Sequence, residues 1–381
     1  RRQRQMCIRD RPISGMNFLT NLDMEKIGIL TYHRAYSYGA KLQAYALATY
    51  LTSIGFEAEV IDYGNIGEEK LRKIGTKSLK DFIVTTLCYI ASSIAEPQRI
   101  RHFDEFMDII PHSPKHYDKA NIAEANDKYD YFITGSDQVW NPKYLLDFVK
   151  DNKKIFSYAA SFGVSQLPDD ILQVYKPLLK RFNKILIREV TGKTLLHTQL
   201  GLDSQVVLDP TFLLSRSQWE KMANYPLSKQ QKYILSFQII NRDVHYDAML
   251  DYLHRKLGYE VIELKDSFRY KPWKWPIYAK AGPKEFLGLI KNAEMVVTNS
   301  FHATVFSILF HRSFFCSRNS FGFNSRMENL TGGLGLADRM FDSSTFLHSI
   351  SDTDVVYEKV DEILEAKISA TKQIIEKTFA K

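Results

Sequence analysis

From Lys26 onward one pattern recurs: a short β-branched apolar run, a polar or glycine-bearing loop, then apolar residues at helical spacing. Lys26 to Thr31 (KIGILT) predicts a strand, Ala40 to Ser53 (AKLQAYALATYLTS) a helix that Gly55 stops, and Glu57 to Tyr63 (EAEVIDY) a second strand. Strand, helix and strand in such quick succession form a βαβ unit, whose two strands pair in parallel. Three more strands are expected at Tyr131 to Thr134 before GSDQVWN, Ile155 to Ala160 before SFG, and Ile185 to Arg188 before Glu189. After Pro210 the pattern starts again, with strands at Tyr233 to Gln238, Glu260 to Leu264 and Glu294 to Thr298, and helices at Val244 to Leu257 and Pro283 to Lys291. The charged, amphipathic stretch from Tyr357 to Lys381 predicts a surface helix packed back on the first domain. The whole reads as α/β, with two Rossmann-like domains facing a cleft: residues 24–210, residues 211–356, and a C-terminal helix over 357–381. Ligands of open α/β sheets bind outside the carboxyl ends of the strands, so the loops after these strands should share one rim.

Composition narrows the picture without deciding it. Of 381 residues, 45% are hydrophobic and 13% aromatic, too many for a disordered chain, and 18 Gly with 12 Pro are too few for a collagenous or low-complexity one. Cys7, Cys88 and Cys316 stand far apart with no CxxC pair, which predicts neither a disulfide framework nor a metal site and suits a reducing, cytoplasmic location. The first 23 residues carry five Arg against Asp10 and Asp23, whereas the rest of the chain favours Lys. RRQRQMCIRDR therefore reads as a non-native or disordered tail rather than a transit peptide. Of the net charge of +7, the tail holds +3 and the remainder +4. That suits an anionic small substrate or an anionic membrane surface and falls short of the dense basic face of a nucleic-acid binder.

Four constellations could carry chemistry. In TNSFHATVFSILF, a strand ends at Thr298 and His302 opens an apolar helix, which puts an imidazole beside unpaired N–H groups and the positive end of a helix dipole. Asn299 and Ser300 belong to the same turn; a capping or packed histidine is the plainer alternative. In GSDQVWN, Gly135 and Ser136 allow close backbone approach, Asp137, Gln138 and Asn141 can bind hydroxyls, and Trp140 offers a stacking face for a sugar, or else is buried in an ordinary polar loop. Ser37 and Gly39 lie at a helix N-terminus suited to a phosphate or carboxylate, though a tight βα turn needs a glycine anyway. Arg188, Lys265 and Arg326 supply cations, with Glu189 and Glu328 as nearby partners if these are only ion pairs. The aromatic, basic stretch from Lys265 to Lys284, with Tyr270, Trp273, Trp275 and Tyr278, suggests a carbohydrate and an anion, with stacked nucleic-acid bases as the rival.

The runs YGAKLQAYAL (38–47), ITGSDQVWNP (133–142), REVTGKTLL (188–196), LDPTFLL (208–214), VVTNSFHATVFSILF (296–310) and SRMENLTGGLGLADR (325–339) resemble the polysaccharide pyruvyl transferase family. The resemblance implies a GT-B-like fold and transfer of pyruvate from phosphoenolpyruvate to a hexose of a bacterial surface polysaccharide or its lipid-linked precursor. It implies no redox cofactor and no metal. In that reading His302 is the acid or base, Arg188 and Arg326 are the anion clamps, and Asp137 orients the acceptor. Members often carry Arg two residues before the motif histidine, where this chain has Ser300, and Asn where it has Ser37. One donor-site cation is then either missing or supplied from elsewhere, with Arg188, Lys265 and Arg326 as candidates. A nucleotide-sugar glycosyltransferase of the same architecture, and a non-catalytic carbohydrate-binding relative, are the alternatives. Lys70, Arg72, Lys73, Lys77 and Lys80 before the apolar helix Asp81 to Ala95, with Arg99 and Arg101 after it, would suit peripheral contact at the inner membrane face; a solvated face on a core helix is the plainer reading.

Overall fold

The computed structural model describes residues 24–64, 95–228, 231–239, 244–265, 274–318, 324–342 and 354–379. The amino-terminal tail, the basic segment and most of the apolar helix after it, and Tyr270 and Trp273 lie outside the described residues.

Two parallel sheets form the molecule. The first contains β1 (Lys26–Leu30), β2 (Glu57–Tyr63), β3 (His112–Tyr117), β4 (Tyr131–Thr134), β5 (Ile155–Ala160), β6 (Lys184–Ile187) and β7 (Gln205–Val206), in the order β3-β2-β1-β4-β5-β6-β7. The second contains β8 (Tyr233–Phe237), β9 (Glu260–Leu264), β10 (Ile277–Tyr278), β11 (Met295–Thr298), β12 (Ser313–Ser317) and β13 (Met340–Phe341), in the order β10-β9-β8-β11-β12-β13. In each sheet the chain runs outward over three strands and then returns to the other side of the first. The order therefore reverses between β1 and β4 and again between β8 and β11, which opens a crevice at each reversal. Strands covered on both faces have no reason to alternate, and β5 (IFSYAA) is buried at every position.

Helix α1 (Tyr38–Ser53) shows the same logic: 12 of its 16 residues are buried, so its apolar positions do not form a narrow stripe. Its first turn enters the space between the sheets. The Tyr38 ring stacks on Phe286 of α7 (Pro283–Asn292) at 4.6 Å, and its hydroxyl donates to the carbonyl of Ala281 at 3.1 Å. Phe103 of α2 (residues 95–107) and Phe237 close around the same ring. One apolar cluster thus runs from Ile27 in the first sheet to Val296 in the second.

The remaining helices are α3 (Asp169–Leu179), α4 (Val190–Leu195), α5 (Arg216–Met222), α6 (Val244–Leu257), α8 (Phe301–Leu309), α9 (Ser325–Gly333) and α10 (Glu358–Phe379). Helix α10 bridges the two halves. His311, at the turn after α8, pairs with Asp361 at 2.9 Å, while Thr371 accepts from the Leu208 N–H and Phe379 packs on Phe56, Tyr131 and Phe156. Among the described residues no helix is long and apolar enough to cross a membrane.

Candidate active site

Asp137 follows β4 and His302 follows β11, so each stands at the reversal of its own sheet. The chain leaves β4 through Gly135, at φ 127°, where an added Cβ would lie 2.1 Å from the Tyr158 carbonyl oxygen. Only glycine fits there. The next residue is anchored from three sides: the Ser136 N–H donates to Gln43, its carbonyl accepts from Thr31, and its hydroxyl donates to Asp209 at 3.0 Å. Asp137 itself adopts φ 77°, a left-handed conformation that side-chain-bearing residues enter at a cost. Its Oδ1 accepts from the Gln138 N–H at 2.9 Å, from Arg326 at 3.3 Å and from Arg188 at 3.5 Å.

Ser300 caps α8 by accepting from the Ala303 N–H at 3.3 Å, which places His302 in the first helical turn. One side of the imidazole faces Gly39 of α1 so closely that a Cβ there would sit 2.0 Å from Nδ1. On the other side Nε2 stands 3.7 Å from Asp209, just beyond hydrogen-bond reach. Asp209 is fully buried and caps the turn Pro210–Phe212. Its Oδ1 accepts from the Thr211 N–H and hydroxyl, and its Oδ2 accepts from Ser136 and, at 2.7 Å, from Arg188.

The charges explain how carboxylates persist here. Burial pushes the Asp209 carboxyl up, but His302, Arg188 and Thr211 outweigh it and hold the group well below the usual carboxylate range. At Asp137 burial is likewise overcome, by Arg188, His302 and Arg326. Burial opposes the charge of Arg188 too, yet Asp209, Asp137 and Glu189 raise its pKa above the ordinary arginine value. Arg326 goes the other way: burial and the neighbouring Arg188 lower it. Both guanidiniums lie near the Phe301 ring, at 4.5 and 6.0 Å from its centroid.

The structure therefore gathers His302, Asp137, Arg188 and Arg326 from both halves into one cluster. It also separates two of the cations by role. The Arg188 side chain is 3% exposed and committed to Asp209, whereas Arg326 is 17% exposed and pairs with Asp137, itself 21% exposed. Arg188 thus braces Asp209, and the two arginines, expected to act alike, differ in burial and in partners.

The other candidates take structural places. Lys265 pairs with Glu263 at 2.7 Å at the end of β9, two strands from β11 and so about 10 Å to the side. Ser37 caps α1 with its hydroxyl toward the Ala40 N–H, and Gly39 leaves the room in which His302 is seated. Gln138 lies over Gly163, Asn141 donates to the Tyr32 hydroxyl at 2.8 Å, and Asn299 accepts from the Ile239 N–H at 2.8 Å.

Trp140 is a clear correction. Stacked on Phe162 at 5.3 Å and only 6% exposed, it belongs to the first domain's core and offers no face to a sugar. Trp275 packs on His254, and Tyr278 forms edge strand β10 against β9, so neither is an open stacking platform. Arg99 is buried against Tyr36 and Phe103, which removes it from any membrane-facing set; Arg101 remains outside, paired with Glu105.

Asp209 was the residue that motif reading passed over, although it stands in LDPTFLL. An Asp before Pro-Thr is a turn-capping signal, and nothing local reveals that its second oxygen binds Arg188. Burial pushes the Cys316 thiol up to about 12, so it is no ready nucleophile. Among the described residues no group of three His, Cys, Asp or Glu is placed to hold a metal ion.

Two parallel sheets whose carboxyl ends face one another across a charged cluster define a GT-B-like α/β scaffold. Some solved structures of very different sequence are similar to this chain over most of its length. The N-terminal domain of Candida albicans trehalose-6-phosphate phosphatase is 9% identical with a TM-score of 0.50, over 94% of this chain and 97% of that one. UDP-GlcNAc 2-epimerase from Neisseria meningitidis bound to UDP-GlcNAc is 10% identical with a TM-score of 0.49, over 93% and 99%. The glycotransferase of kitacinnamycin gives the same values. No curated protein sequence matches this chain significantly. Residues 38–320 match the sequence profile of the polysaccharide pyruvyl transferases, and the chain belongs to that family.

Proposed function

We propose that the protein transfers a pyruvyl group from phosphoenolpyruvate to two hydroxyls of a hexose, as a cyclic ketal, on a bacterial surface polysaccharide or its lipid-linked precursor. The observation that carries this reading is the meeting of His302, Arg326 and Asp137 from opposite halves, with Arg188 and Asp209 behind them. Family membership supports a transferase of polysaccharide biosynthesis.

The reaction balances on these groups. One sugar hydroxyl adds through oxygen to C2 of the enol phosphate while C3 takes a proton and becomes a methyl group. His302 gives that proton and recovers one from the attacking hydroxyl. A second hydroxyl then displaces phosphate from C2, closing the ring, and its proton leaves with the phosphate. Arg326, the more open guanidinium, holds the donor's anionic groups, and Arg188 adds its charge from beneath. Asp137 is held ionised, so it is a poor base and a good acceptor of a sugar hydroxyl's hydrogen bond. No electron transfer occurs, and no redox cofactor is required. A phosphoenolpyruvate donor is consistent with a cytoplasmic location.

The test is phosphate release from phosphoenolpyruvate in the presence of hexose acceptors, with donor carbon-13 labelled at C3 followed by NMR into the sugar product. A labelled ketal methyl, lost in Arg326→Ala, is the expected result. Sugar transfer from a nucleotide sugar without use of phosphoenolpyruvate would overturn the reading in favour of glycosyl transfer.

A further inference from the structure

Beside the Arg188–Asp209 pair, a cavity of about 90 Å³ runs between the β7 edge of the first sheet and helices α9 and α10. Val207 and Leu330 give it apolar walls, and Arg188, Glu189, Asp209, Arg326 and Lys367 bring charge to its lining. Three buried polar atoms of its lining residues have no hydrogen-bond partner: Arg188 Nε and Glu189 Oε2, which face each other as an ion pair at 4.0 Å, and Arg326 Nε. Buried polar atoms are nearly always satisfied, so orphans at one cavity point to a missing partner. Two guanidinium N–H donors beside one carboxylate acceptor call for an oxyanion that accepts twice and carries one proton, which is the chemistry of a phosphoryl group.

Lys367 of α10 also lines this cavity. It is exposed at the mouth, and its ammonium passes over bare Gly333, 3.7 Å from where a Cβ would stand. Among the described residues no carboxylate pairs with it. Ser300, in place of the arginine common in the family, is occupied as the cap of α8, so that turn supplies no cation.

We propose that Lys367 is a donor-binding residue, and that with Arg188 and Arg326 it holds the phosphoryl group in this side cavity. The proposal rests on the pyruvyl transfer reading. Asp209 borders the cavity and also stands 3.7 Å from His302, so a ligand seated there adjoins the proton-transfer group. Arg326 and Lys367 then both lie beyond residues 38–320, the part that matches the family, and Arg188 within it.

The experiment measures KM and kcat for phosphoenolpyruvate, and thermal stabilisation by phosphoenolpyruvate and by inorganic phosphate, in the wild type and in Lys367→Met, Lys367→Glu and Lys367→Arg. Because the side chain is exposed, the variants should unfold at the wild-type midpoint without ligand. Lys367→Met should raise KM about tenfold with kcat changed less than about twofold, the loss expected of one charged contact made equally in ground and transition states. Lys367→Glu should lose stabilisation by both anions, and Lys367→Arg should restore it. Stabilisation of the wild type by both anions supports the phosphoryl assignment; stabilisation by phosphoenolpyruvate without any by inorganic phosphate overturns it. Unchanged binding of both anions in Lys367→Glu, with pyruvyl transfer intact in the wild type, overturns the inference and leaves the function standing. Phosphate binding that depends on Lys367 without pyruvyl transfer supports the cavity and sinks the function. A wild type that binds neither anion overturns both.

Discussion

The imidazole of His302 is positioned less by bonds than by what stands against it. Asp209 lies 3.7 Å from one nitrogen, and Gly39 presses on the other with no room for a methyl group. Gly39 sits in a helix, where alanine would ordinarily be favoured by about 1 kcal/mol. Gly39→Ala should nonetheless drive the ring from its place, because its Cβ would be 2.0 Å from Nδ1. A displacement of that order should lower kcat/KM about 100-fold while the far-ultraviolet circular dichroism stays that of the wild type. Wild-type activity in Gly39→Ala would show that the ring position is immaterial to the reaction. The motif histidine and the glycine were both visible in the sequence, but their contact was not: 263 positions separate them, and only the packing of α1 against α8 brings them together.

At the scale of elements, the strands best read from sequence were the buried central ones, because unbroken β-branched runs have few other uses. The edge strands escaped, and so did the inner strand β12. β3 is HSPKHY, with a proline and four polar residues, a composition that an edge tolerates and a centre would not. β12 begins four residues after α8 ends, so its apolar residues merge with the helix's in any window of the sequence. Helix α10 was legible from its spacing, while its anchor was not. Phe379 fills a pocket between Phe56, Tyr131 and Phe156 at ring distances of 5.7, 5.8 and 5.0 Å. Phe379→Ala should therefore cost about 3 kcal/mol, the lower end for a buried phenylalanine, read as a lowered urea midpoint. A midpoint equal to the wild type's would mean that α10 is not anchored there.

For the whole molecule, buried carboxylates tie distant parts of the chain together and set its response to acid. Asp209 is one. Asp62 is another, where burial is outweighed by hydrogen bonds from His33, Arg34 and His116 that hold the carboxyl well below its ordinary range. Asp137, shared between the two halves, is lowered as well. A carboxyl depressed in the folded state adds stability above its unfolded pKa of about 3.9, and that stability is lost as pH falls through 3.9 toward the folded value. The unfolding midpoint should thus drop steeply below about pH 4, as titrant protonates groups that bridge β1, β2 and β3 in one case and both halves in another. A thermal midpoint that held constant from pH 6 to pH 3 would contradict this.

What the sequence determined by itself is local: the alternation of strand and helix, the reversal loops with their Gly, Ser and Asp, and a set of motifs in family order. Those follow from short-range physics, since periodicity, capping and turn preference act within a few residues. The tertiary structure decided which of these residues meet. It assigned Trp140 to the core, Lys265 to Glu263, and Arg188 to Asp209, and it left Arg326 facing the cleft. The reason is that an ion's role depends on its desolvation and on the charges around it, and both are set by chain segments that are remote in sequence.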